Sequence, residues 1–188
     1  SFAHLFDTAV ETGWIDFVDG RPAHDPEVEM MRIILSVPKD AEGNPITDAP
    51  VAIYDHGTGG AAINSVQRIN KHDNGKALAE RWSDAGFAVI GRDAPLYGSR
   101  FDLIDAGFSG GSLGYYNVVN LPAFRDNQRQ TAVDGHVLLR FIQDGLNESL
   151  PAGSIDSSRI RRIGHSLGSV TTNLGVSPEP DAYEAVFL

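Results

Sequence analysis

A chain of 188 residues, 41% hydrophobic and 21% charged, can bury the core of one domain and is not an intrinsically disordered sequence. Fifteen basic against 25 acidic residues give a net charge of −10, with no basic run longer than Arg161-Arg162, which argues against a nucleic-acid partner. The lack of cysteine excludes disulfides, thiolate metal sites and a cysteine nucleophile, and no apolar run reaches the roughly 18 residues that a membrane span needs.

Trp14 to Val18 and Met30 to Val37 have strand character, and Asp40 to Pro45 is turn chemistry, so this first part predicts an antiparallel β edge. Val51 to Asp55 is a short apolar strand that runs into His56-Gly57-Thr58-Gly59-Gly60. Lys76 to Ala85 has helical spacing, with Ala77, Leu78 and Trp82 on one face and Gly86 placed to cap it. Phe87 to Ile90 predicts a second buried strand, followed by a loop from Gly91 to Gly98. The interval 101–121 reads as a lid or pocket loop. Its Phe108, Tyr115, Tyr116 and Val118 suit an apolar acyl or aryl group, and equally suit ordinary loop packing.

Asp126 to Ile142 has the clearest helical pattern in the chain. Arg159 to Ile163 predicts a short strand, Leu167 to Leu174 a helix, and Tyr183 to Leu188 the start of a last strand. Strands alternating with helices, the central strands apolar, predict an α/β domain with a mostly parallel, doubly wound sheet. Arg159-Ile160-Arg161-Arg162-Ile163 is more charged than a central strand should be. Either that strand is very short or its arginines reach out at its N-terminal edge.

Between the last-named strand and helix stands Gly164-His165-Ser166-Leu167-Gly168. The chemistry of a nucleophile elbow needs this arrangement: a sharp strand-to-helix turn, a serine in strained backbone, and glycines two residues either side where other backbones approach. The helix N-terminus favours a developing oxyanion. A second Gly-x-Ser-x-Gly match, Gly110 to Gly114 around Ser112, has no strand before it and lies in a glycine-rich stretch, so local composition accounts for it.

These residues resemble the α/β-hydrolase superfamily in its lipase and esterase branch. His56 to Gly60 looks like the family's HG-type oxyanion loop, Asp93 to Ser99 is similar to the acidic loop after the next strand, and Gly164 to Gly168 matches the nucleophile elbow. The resemblance implies serine-dependent hydrolysis of a carboxylic ester through an acyl-enzyme on Ser166. Backbone N–H groups of Thr58 and Leu167 would form the oxyanion hole, supported by His56, Gly57, Gly59, Gly164, His165 and Gly168. The implied substrate is a small-molecule ester or lipid, with no cofactor, no metal and no nucleic acid, and a secreted or periplasmic location is expected.

The family order of the triad is serine, then acid, then histidine. No histidine follows Ser166. His4, His24, His72 and His136 are read as surface or packed residues, His56 as a prop of its own loop, and Asp93 as a turn former. Residues 1–188 are therefore expected to be the N-terminal portion of a single hydrolase domain. Its acid and base would lie in a C-terminal segment beyond Leu188 or on a second chain. A catalytically silent binding module on the same fold is the alternative. A metal hydrolase is the weakest reading, because the histidines lack paired ligand spacing.

Overall fold

A computed structural model describes residues 15–23, 29–67, 76–100 and 112–188. His4, Trp14, His24, His72 and Phe108 lie outside the described residues, as does most of the interval proposed as a lid.

Five strands form the main sheet in the order β3-β5-β4-β6-β7: β3 (Ile33–Ser36), β4 (Ala49–Asp55), β5 (Ala88–Arg92), β6 (Ile155–Gly164) and β7 (Ala185–Phe187). The β3 strand pairs antiparallel with β5, and the other three pairings are parallel, so the sheet is mostly parallel with an antiparallel edge from the N-terminal part. A separate hairpin pairs β1 (Phe17–Val18) with β2 (Arg21–Pro22). Its turn residues Asp19 and Gly20 have φ of 51° and 74°, the left-handed pair that a tight type I′ hairpin demands.

The sheet is covered on both faces, and the side-chain alternation of its strands says by what. From β4 and β5, Val51, Ile53, Ala88 and Ile90 pack with Leu138, Leu139 and Ile142 of α3 (Leu121–Asp144). Ala52, Tyr54, Phe87 and Val89 face the other way, against Leu78, Ala79 and Trp82 of α1 (Leu78–Asp84). The chain leaves β4 through α1 to β5 on one side, then returns through α3 to β6 on the other side of β4. The carboxyl ends of β4 and β6 thus meet where the winding reverses, the place where open α/β sheets bind ligands.

Several boundaries differ from expectation: the strand read as Arg159 to Ile163 runs over ten residues, Ile155–Gly164, and so is not short. The long helix begins at Leu121, five residues before Asp126, because Asn120 accepts a hydrogen bond from the Ala123 N–H and Pro122 occupies the first turn, where its missing N–H costs nothing. Within the interval 101–121, Ser112–Tyr116 forms a short helix, α2. The charged strand is also explained. Arg161 and Arg159 bond Glu184 near the surface, whereas Arg162 is fully buried on the opposite side. Among the described residues no helix is long and apolar enough to cross a membrane.

Candidate active site

Ser166 stands between β6 and α4 (Leu167–Val176) with φ 56° and ψ −116°. A left-handed conformation at a residue with a side chain costs about 1–3 kcal/mol and persists only where the surroundings enforce it. Here they do. The His165 N–H donates to the Asp55 carbonyl at 3.1 Å, joining the elbow to the end of β4. A Cβ on Gly168 would lie 2.1 Å from that same carbonyl oxygen, and one on Gly164 would lie 2.6 Å from the Ser169 Cα. Both glycines are required by contact with backbone, which cannot move aside. Ser166 and His165 are exposed, and Leu167 opens α4, where backbone N–H groups have no partner within the helix.

The loop after β4 packs onto this turn. A Cβ on Gly57 would meet His165 Nδ1 at 2.9 Å and Ser166 Cβ at 3.1 Å, so the loop lies directly against the serine. Gly59 has φ of 74°, and the Gly60 N–H closes the turn on the Gly57 carbonyl. His56 is buried. Its Nε2 accepts from the Ala94 N–H at 3.1 Å, which leaves Nδ1 as the protonated nitrogen donating to the Gly57 carbonyl at 2.8 Å. Burial lowers its pKa, and Arg92 lowers it further against the opposing effect of the Gly57 bond. A neutral imidazole with both nitrogens engaged ties two loops together and has no nitrogen left for a serine proton. Thr58, on the exposed rim, shares a 2.5 Å hydroxyl contact with Tyr116 of α2.

Beneath the elbow lies a group that no sequence motif announces. The Asp55 carboxylate, at the end of β4, bonds Arg92 Nη2 at 3.0 Å, Arg162 Nε at 2.6 Å and the Thr172 hydroxyl at 2.7 Å, and all four residues are buried. Burial raises the Asp55 pKa, Arg162 and Arg92 lower it, and the balance holds it at about 2. This cluster ties β4, β5, β6 and α4 together under the serine. The signal for it in the sequence was the misfit of arginines in a central strand.

Several sequence candidates are not brought to the serine. Asp93 accepts from the Ala62 N–H, the Ser99 N–H and the Ser99 hydroxyl, so its carboxylate is spent on organising turns. His136, on α3, lies 3.4 Å from Glu179. Tyr115, named for the acyl pocket, is fully buried with its hydroxyl donating to Thr131, and it packs inside the protein.

No family model and no curated protein matches the sequence. Solved structures do match. A candidate acetyl xylan esterase from Bacteroides fragilis superposes with a TM-score of 0.59 at 18% identity, over 82% of this chain and 39% of that one. Est1E from Butyrivibrio proteoclasticus, in complex with ferulic acid, gives 0.52 at 16% identity, over 93% of this chain and 51% of that one. The chain thus spans two fifths to one half of the length of these structures. At such identities the likeness is one of fold: the described residues share the architecture of the matching part of both structures.

Proposed function

We propose that the protein belongs to a serine-dependent carboxylic ester hydrolase. The observation that carries this reading is Ser166 itself, held exposed in a left-handed conformation at a strand-to-helix turn, with the Gly57 backbone pressed against it. The surrounding packing holds that strain in place at an exposed serine. Nucleophilic attack through an elbow uses such a serine. The fold shared with a candidate acetyl xylan esterase supports the same reading.

In the proposed reaction Ser166 Oγ attacks the ester carbonyl carbon as its proton passes to a base. The carbonyl oxygen takes up the negative charge, facing backbone N–H groups of Leu167 and Thr58. Collapse of that intermediate expels the alcohol, which receives the proton, and leaves an acyl-enzyme that water hydrolyses by the reverse sequence. The base and its acid come from outside the described residues, because His56 is spent on its loop and His136 on Glu179.

Hydrolysis of p-nitrophenyl butyrate by the full-length gene product and by its Ser166→Ala variant tests this. Turnover reduced at least about a thousandfold in the variant is expected, and undiminished turnover would move the chemistry elsewhere. Among the described residues His56 and His136 are both engaged elsewhere, which also favours one second reading, a silent binding module. A full-length product that neither turns over esters nor reacts with a fluorophosphonate would establish it in place of the first.

A further inference from the structure

A cavity of about 10 Å3 lies under the elbow, with Arg92, Asp55, His56, Tyr115, Thr131 and Thr171 in its wall. This is the size that one water-sized occupant needs. Arg92, only 1% exposed, uses Nη2 twice, on Asp55 Oδ1 and on the Thr131 carbonyl at 2.8 Å. Its Nε and Nη1 are buried and have no hydrogen-bond partner in the protein. A charged donor left in that state costs more than the roughly 1–3 kcal/mol of a neutral one, so an acceptor is called for.

The polar groups around the cavity are already committed. His56 has both ring nitrogens engaged. The Tyr115 hydroxyl donates to Thr131 Oγ1, which in turn donates to the Asn127 carbonyl. Asp55 Oδ1 serves Arg92 Nη2, and its Oδ2 serves Arg162 and Thr172. The next carboxylate, Asp134, is held by Arg100 and Gln130.

We infer that this cavity is a binding site for one small hydrogen-bond acceptor, a water molecule or a chloride ion, held by Arg92 Nε and Nη1. Two buried guanidinium groups sharing one carboxylate leave a local positive charge that admits an anion. Asp55 in the same wall repels an anion and would accept a hydrogen bond from water. Either occupant sits between the end of β5, α3 and α4, in the floor below Ser166. The inference does not depend on the proposed ester chemistry.

Crystals of the protein grown with bromide in place of chloride, measured at the bromine absorption edge, test it. An anomalous peak about 3 Å from Arg92 Nε or Nη1 establishes the halide, and ordinary density there without anomalous signal establishes water. A cavity without density, or both nitrogens bonded to protein, overturns the inference. In solution the halide arm predicts a higher Tm in chloride than in acetate at equal ionic strength, and the water arm predicts no difference.

Discussion

Ser166 and Asp55 carry opposite kinds of cost. The serine is exposed and strained in its backbone, while the aspartate is relaxed in its backbone and buried as a charge. Two arginines make that burial tolerable, and the result depends on pH. Asp55 has its pKa held at about 2, below the ordinary 3.8. The ionised carboxylate therefore stabilises the fold fully above about pH 4, and the contribution is lost as pH falls through about 2. It amounts to roughly 2 kcal/mol. Urea unfolding between pH 4 and pH 2 should show this slope in the wild type and a reduced slope in Asp55→Asn, whereas equal slopes would mean that Asp55 titrates normally. The strand-to-helix turn at Ser166 was legible in the sequence because it is local: five consecutive residues, two of them glycines whose need is explained by contacts within and beside the turn. The Asp55 cluster was not, because Arg162 is 107 residues away from its partner. Only its shadow showed, as arginines out of place in a central strand.

Among the elements, α2 reaches the loop beside Ser166 through one side chain. The Tyr116 hydroxyl meets Thr58, and the residues that follow are apolar and exposed: Val118, Val119 and Leu121, at 75%, 45% and 65%. If Tyr116 fixes the loop of residues 56–60 for the proposed reaction, Tyr116→Phe lowers kcat roughly fivefold, the worth of one ordinary hydrogen bond, with KM little changed. Thr58→Val has the same effect, and the double variant is no worse than either alone. Additive losses would show that the two hydroxyls act independently. If the apolar turn receives the acyl group, replacing Val118, Val119 and Leu121 by serine raises KM for p-nitrophenyl butyrate several-fold more than for the acetate, since each buried methylene is worth about 0.8 kcal/mol. An equal change for both esters would remove this turn from the substrate path. At this scale the existence of most elements was readable from periodicity, and their ends were less so. The helix expected from Asp126 begins at Leu121, because the Asn120 cap and Pro122 in the first turn extend it toward the N-terminus.

For the whole molecule, the reversal of winding around β4 sets the outcome. It brings residues 56–60 and 164–168 to one edge of the sheet, and the register of Asp55 opposite Gly164 aligns the two strand ends. The same packing lets α3 and α4 approach over Arg162: a Cβ on Gly135 or on Gly175 would meet its guanidinium at 2.3 Å or 2.8 Å. Arg162→Met is therefore expected to cost about 3–5 kcal/mol in urea unfolding, because Asp55 loses a buried partner. A change below about 1 kcal/mol would show that Arg92 alone suffices. Alternating strand and helix patterns foretold the layered sheet, while the central place of β4 emerges only from pairing across the sheet. The account as a whole turns on Ser166 being a reactive nucleophile. The most direct test treats the full-length gene product with a fluorophosphonate and locates the adduct by mass spectrometry of its peptides. The adduct is predicted on Ser166 and absent from Ser166→Ala. An adduct on another serine, or ester turnover without any adduct on Ser166, would contradict it.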